Sequence, residues 1–171
     1  MNKCLFLDRD GVINRDVGYA GQPQDIEFIP GIFQLCQTAA DQGYLLIIIT
    51  NQSGIARGYY SEQDFAALCR WFEQQFTEQG VVITATYHCP HHPDITGPCD
   101  CRKPAPGMLH RAISEHRIEP LQSLMLGDKA SDMQAAEQAG ISQRLLLSEK
   151  STTAAPATGI IRTVAQAIRY L

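Results

Sequence analysis

A chain of 171 residues with 44% hydrophobic and 19% charged side chains has the make-up of one globular domain large enough to bury a core. Its net charge of −4 gives no overall positive field, which speaks against nucleic acid or an anionic membrane as partner. The longest apolar run, 44–49, is far too short to span a bilayer, and Met1-Asn2-Lys3 leads into a strand with no signal-peptide core, so a cytoplasmic protein with reduced thiols is expected.

The first element is Lys3 to Leu7, whose apolar run Cys4-Leu5-Phe6-Leu7 reads as a short buried strand. Asp8-Arg9-Asp10-Gly11 follows at once, so the strand end delivers two carboxylates and turns at a glycine. Alone, these four residues fit a solvated turn as well as they fit a site. Two carboxylates at the edge of a core nevertheless call for a cation or a catalytic task. A helix is expected over Ile32 to Asp41, behind Pro30-Gly31, and a second strand over Tyr44 to Ile49. The polar segment Thr50-Asn51-Gln52-Ser53-Gly54 comes next. A long helix over 61–79 opens on Ser61 as N-cap with Asp64 three residues on, close to a capping box. The third strand is expected over Val81 to Tyr87.

Of the six cysteines, Cys4, Cys36 and Cys69 fall in apolar patterns and read as small core residues. The other three crowd into Cys89-Pro90-His91-His92-Pro93 and Pro98-Cys99-Asp100-Cys101. A Cys-x-His pair followed by a Cys-x-Cys pair can supply the four ligands of tetrahedral zinc. The expected ligands are Cys89, His91, Cys99 and Cys101, with His92 and His88 in reserve, since spacing does not settle which imidazole turns inward. The alternative is a proline-pinned surface loop, where three free thiols would be an oxidation liability. With four protein ligands the zinc would be structural, and the 88–103 loop would hold Arg102 and Lys103 directly behind it.

Another helix is expected from Ala105-Pro106 to about His116, with proline in its first turn. Ser123 to Leu126 is the fourth strand, followed by Gly127-Asp128-Lys129 with Asp132 behind. Ser131 to Ala139 reads as a helix ending at Gly140, and Arg144 to Leu147 as a fifth strand. Ser151 to Gly159 reads as a loop and Val164 to Tyr170 as a last short helix. Alternating strands and helices predict an α/β, doubly wound parallel sheet. Ligands bind beyond the carboxyl ends of such strands, where polar clusters stand in this chain.

The ordered set Asp8-x-Asp10-Gly11, Thr50, Lys103 and Gly127-Asp128 with Asp132 resembles the haloacid dehalogenase superfamily of phosphohydrolases over roughly residues 1–147. The resemblance implies a Rossmann-like sheet and Mg²⁺-dependent hydrolysis of a phosphomonoester. Such an ester is an anion, so positioning and charge neutralisation dominate catalysis. By the resemblance, Asp8 is the nucleophile that forms an aspartyl-phosphate. Asp10 would carry a proton for the leaving alkoxide and then act as base for water. Asp8, the backbone carbonyl of Asp10 and Asp128 would hold Mg²⁺, the catalytic cofactor. Thr50 and the N–H groups after it would bind phosphoryl oxygens, Lys103 would offset developing charge, and Asp132 would orient Lys129 or a metal-bound water.

About 42 residues separate Asp8 from Thr50, too few for an inserted cap, so a single domain over 1–171 with an open site is expected. Asn51 to Gly58, Gly18-Tyr19 and the cysteine loop together look like the bacterial heptose bisphosphate phosphatases. These remove the 7-phosphate of a sugar bisphosphate on the route to nucleotide-activated (ADP- or GDP-) heptose for lipopolysaccharide or related glycoconjugates. That likeness implies substrate contacts from Asp16, Gly18 and Tyr19 to the sugar. It adds Asn51, Gln52, Ser53, Arg102 and Lys129 as further substrate-binding residues, and Arg57 reads equally as a contact or a solvated charge. Histidinol-phosphate phosphatases share the motifs and the zinc loop and stay open as an alternative. A phospho-accepting receiver domain would also use an aspartate, a threonine and a lysine, but Asp10 supplies the built-in base that a long-lived acyl phosphate must lack. The expected partner is a small sugar bisphosphate, with neither nucleic acid nor membrane, and a monomer is expected.

Overall fold

The computed structural model describes residues 1–150 and 155–171. Six parallel strands form one sheet: β1 (Cys4–Leu7), β2 (Leu45–Asn51), β3 (Ala85–Cys89), β4 (Leu124–Gly127), β5 (Gln143–Leu147) and β6 (Gly159–Ile161). Their spatial order is β3-β2-β1-β4-β5-β6. The helices are α1 (Ile32–Asp41), α2 (Glu62–Glu78), α3 (Pro93–Thr96), α4 (Gly107–His116) and α5 (Ala130–Gln138). A 3₁₀ segment over Val164–Tyr170 closes the chain.

Both faces of the sheet are covered, which is why its central strands read as unbroken apolar runs. Leu5 and Leu7 face one core, shared with Leu35, Phe72 and Phe76 from α1 and α2. Cys4 and Phe6 alternate into the other, with Leu109 of α4 and Met133 of α5. The chain leaves β1 toward β2 on one side, while β4 returns on the other. The strand order therefore reverses at β1, and the crevice between the ends of β1, β2 and β4 is where such a sheet binds its ligand.

Several boundaries differ from the expectation. β2 runs on through Thr50 and Asn51, because both continue the ladder with His88 and Cys89. The third strand starts at Ala85 rather than Val81: the Val81 N–H is taken by the Phe76 carbonyl at 2.9 Å as α2 ends, so 81–83 serves as a crossover. Pro106 caps α4 instead of opening it, since a Cβ on Gly107 would overlap the Asp100 carbonyl that its N–H bonds at 3.0 Å. The expected 151–159 loop lies outside the described residues over 151–154, and its end, Gly159, opens the short edge strand β6. Three residues are too few for alternation to announce a strand. Ser61 does cap α2, with the reciprocal Asp64 contacts of a capping box.

Candidate active site

Asp8 extends β1 by donating its N–H to the Leu126 carbonyl at 3.0 Å, so its side chain stands where β1 and β4 end together. Lys103 arrives from the cysteine loop. Its Nζ donates to Asp8 Oδ1 at 2.8 Å and to the Ile49 carbonyl at 2.8 Å, and it pairs with Asp132 Oδ1 at 2.6 Å. All three groups are buried. Burial alone would depress the Lys103 ammonium, but the Asp132 and Asp8 carboxylates reverse this and hold it well above its ordinary range. Burial next to Asp132 pushes the Asp8 carboxyl up to about 8 against the pull of Lys103, with Asp128 adding to the rise.

Asn51 fixes the Lys103 backbone from both sides. Its Nδ2 donates to the Lys103 carbonyl at 3.1 Å, and its Oδ1 accepts the Lys103 N–H at 3.0 Å. Asp132 was expected to orient Lys129 or a water. Its Oδ2 does hold the Lys129 backbone, accepting the N–H groups of Asp128 and Lys129 at 3.2 and 3.0 Å, and its Oδ1 pairs with Lys103 as well. The Lys129 ammonium reaches across to Asp16 Oδ2 at 3.0 Å, linking the loops that follow β1 and β4.

Asp10 is held by three donors. Arg9 reaches Oδ1 through Nε at 3.2 Å and both oxygens through Nη2 at 2.9 Å; Asn14 Nδ2 and Gln52 Nε2 each add a bond at 3.0 Å. None of these groups can accept a proton, so a proton on Asp10 would have to use a lone pair directed into the cavity that Asp10 lines. Arg9 itself lies 5.9 Å from the rings of Phe65 and Phe72 on α2 and donates to the Ala20 carbonyl at 3.1 Å. Arg9, Asn14 and Tyr60 are ordinary in sequence, and only their contacts across loops mark them.

A cavity of about 500 Å³ opens over this group. Asp8, Asp10 and Lys103 line it with Asp16, Gly18 and Tyr19 from the loop after β1, and Asn51, Ser53, Arg102, Lys129, Ser131 and Asp132 complete the wall. Thr50 and Gln52 do not line it. Gln52 is 2% exposed and its amide is used up: Nε2 donates to Asp10 and to Thr50 Oγ1 at 2.8 Å, and Oε1 accepts from Tyr60. Gln52 therefore works through Asp10, in place of the expected substrate contact. Arg57 does not line the cavity; its guanidinium lies 3.1 Å from His92 Nε2 and 5.8 Å from the Tyr19 ring.

The carboxylates suit a hard cation. Asp8, Asp128 and Asp132 form one group. The oxygens of Asp132 are occupied as above, whereas Asp128 Oδ1 is buried without a hydrogen-bond partner. Among the described residues no N–H reaches the Asp10 carbonyl. Gly11 has φ +93°, and a Cβ there would overlap the Asp128 carboxylate, so glycine lets Asp128 approach. Oxygen donors of this kind, partly unsatisfied, match Mg²⁺.

Cys89, Cys99 and Cys101 also cluster, with Cys89 Sγ 2.6 Å from Cys101 and 3.6 Å from Cys99. Burial and the neighbouring thiols push Cys89 up, while on Cys99 burial is outweighed by N–H contacts from Arg102 and its neighbours, which lower it. No imidazole belongs to the group. The reserve ligands are engaged elsewhere. His88 lies 2.8 Å from Glu62 and packs at a tilt against the Phe65 ring, and His92 caps α3. No described residue engages the ring of His91, but the structure does not bring that ring into the thiol group as the spacing predicts.

The chain matches the HAD-hydrolase-like family model over residues 100–167. It is 48% identical over 150 residues to the D-glycero-beta-D-manno-heptose-1,7-bisphosphate 7-phosphatase of Haemophilus ducreyi, spanning 85% of this chain and 82% of that protein. It is 49% identical over 148 residues to the D-glycero-alpha-D-manno-heptose-1,7-bisphosphate 7-phosphatase of Campylobacter jejuni, spanning 86% and 84%. Among solved structures it resembles the D,D-heptose 1,7-bisphosphate phosphatase of B. bronchiseptica, complexed with magnesium and phosphate. That likeness has a TM-score of 0.86 and 28% identity and covers 98% of this chain and 97% of the other.

Proposed function

The chain belongs to the heptose 1,7-bisphosphate 7-phosphatases of the haloacid dehalogenase-like hydrolases, and on that premise we propose that it removes the 7-phosphate of D-glycero-D-manno-heptose 1,7-bisphosphate. The observation that carries this reading is the meeting of Asp8, Asp10 and Lys103 in one cavity, with the Lys103 ammonium 2.8 Å from the Asp8 carboxylate.

The Asp8 carboxylate attacks phosphorus as the bond to the sugar C7 oxygen breaks, giving an aspartyl-phosphate and the free alcohol. Asp10 gives that departing oxygen its proton, then takes one from the water that hydrolyses the intermediate, returning Asp8 and releasing phosphate. Lys103 offsets negative charge on the phosphoryl oxygens, while Thr50, behind the cavity wall, accepts from Gln52 and has its own O–H left to donate only if the wall opens to it. Mg²⁺ would be held by Asp8, Asp128 and the Asp10 carbonyl, and when bound it supplies charge neutralisation for the phosphoryl group. Asp16, Gly18 and Tyr19 face the sugar, with Lys129 and Arg102 as cations at the wall. Cys89, Cys99 and Cys101, with His91 as the proposed fourth ligand, would hold a structural zinc, which when bound would stiffen the loop in front of Arg102 and Lys103. Residues of this one chain line the whole cavity, which supports a single-domain reading. Six free thiols suit a reducing, cytoplasmic setting, and no helix among the described residues is long and apolar enough to cross a membrane.

The test is a parallel steady-state assay on both anomers of the heptose bisphosphate and on histidinol phosphate, with excess Mg²⁺. Higher kcat/KM on a heptose bisphosphate is expected, with Asp8→Asn inactive. A clear preference for histidinol phosphate would overturn the substrate assignment.

A further inference from the structure

Tyr60 stands outside the cavity, at the end of the loop that follows β2, yet three parts of the site meet on it. Its hydroxyl donates to Gln52 Oε1 at 2.5 Å. Its ring presses on Gly54 of that loop and on Gly21 of the loop after β1. A Cβ on Gly54 would overlap the ring and hydroxyl, and one on Gly21 would lie 2.8 Å from Cδ1. Neither glycine has positive φ, so the backbone would accept any residue at either position. What both positions lack is room, and Tyr60 takes it.

The contact decides which way the Gln52 amide faces. With Oε1 committed to the phenol, both protons of Nε2 are left for Asp10 Oδ2 at 3.0 Å and Thr50 Oγ1 at 2.8 Å. Without that donor the amide loses the contact on its oxygen side, and only its acceptors, Asp10 and Thr50, still favour this sense. Turned over, it would set a carbonyl oxygen against the carboxylate. Burial pushes the phenol up to about 12, so the hydroxyl stays a donor across the working pH range. Arg9 and Asn14 hold Asp10 from the β1 side, and Gln52 is its contact from β2.

We propose that Tyr60 is a positioning residue for the acid–base step: it sets the Gln52 amide, which aims the Asp10 carboxyl at the leaving oxygen, and it wedges the loops after β1 and β2 at a fixed separation. This rests on the reading of Asp10 as acid and base. Removing the hydroxyl should therefore cost chemistry and leave substrate binding nearly intact.

The test compares Tyr60→Phe with wild type on two Mg²⁺-supported substrates, an alkyl phosphate such as the heptose bisphosphate and 2,4-dinitrophenyl phosphate. The dinitrophenolate leaves without a proton, so kcat/KM for that ester, which reports phosphoryl transfer to Asp8, does not need the acid. Tyr60→Phe should lower kcat/KM for the alkyl ester about fivefold to twentyfold, through kcat with KM within about twofold, and leave the aryl ester within about twofold. In a Gln52→Ala background the same change should cost nothing further, since its route to Asp10 is gone. Equal losses on both esters, a loss confined to KM, or full additivity with Gln52→Ala would overturn the proposal. Asp10→Asn separates the two readings. If it too affects both esters alike, the acid role itself fails; if it spares the aryl ester while Tyr60→Phe does not, only the role of Tyr60 fails.

Discussion

Asp132 Oδ1 lies 2.6 Å from the Lys103 ammonium, closer than the Asp8 carboxylate that the same ammonium touches at 2.8 Å. Two carboxylates from the ends of different strand–helix units thus share one cation that comes from the cysteine loop. Its position depends on both, and a change at any corner reaches the others.

Asp132→Asn should be costly twice over. It removes one partner of a buried pair and leaves Lys103 compensated by Asp8 alone, which for such pairs costs about 3–5 kcal/mol. Thermal melts should fall by several degrees, and kcat should drop about a hundredfold in the protein that remains folded. Wild-type kcat in the folded fraction would show that Lys103 is placed without Asp132.

Gly11→Ala tests the approach of Asp128. The added Cβ would overlap the Asp128 carboxylate and sit on a backbone with φ +93°, so destabilisation of about 1–3 kcal/mol is expected along with weaker Mg²⁺ binding. Isothermal titration of Mg²⁺ gives the second quantity directly. An unchanged dissociation constant would mean that Asp128 has another route to the metal.

The raised Asp8 carboxyl makes cation binding pH-dependent. Its ordinary value of 3.8 rises to about 8 through burial and the neighbouring carboxylates, so below about 8 the metal-free chain holds a proton there. The folded state binds that proton and the unfolded chain does not, so this group's contribution to stability declines as pH rises from about 4 to 8. Mg²⁺ must displace the same proton, so its affinity should climb over that window and level off above it. Titration in two buffers of different ionisation enthalpy should show proton release near pH 7. Buffer-independent heats would indicate an Asp8 that is already ionised.

Stripping zinc should lower kcat without abolishing it. The cysteine loop loses its clamp, but Asn51 still holds the Lys103 backbone through two hydrogen bonds. Chelated protein assayed in excess Mg²⁺ should keep partial activity, and Asn51→Ala should make the chelator's effect several times larger. Unchanged turnover after verified zinc removal would separate the loop from catalysis.

The sequence alone determined the parallel α/β layout, because helical and strand periodicities are local and the central strands are apolar on both faces. It also pointed to the residues proposed to carry the chemistry: Asp8, Asp10, Lys103 and Asp128 stand at strand ends or beside a helix start, where polar clusters have no structural excuse. The cysteine cluster was legible for the same reason, as spacing along one loop. Tertiary structure decided who touches whom. Nothing near Asp132 in the chain points to Lys103, and the Gln52 amide is oriented by a phenol eight residues on and spends its protons on Asp10 and Thr50. Asp16 and Lys129 are paired across 113 residues. The free imidazole of His91 stands out only because Glu62 and the start of α3 occupy its neighbours. Such contacts are set by the sheet order, which brings the ends of β1, β2 and β4 together and which no local pattern encodes.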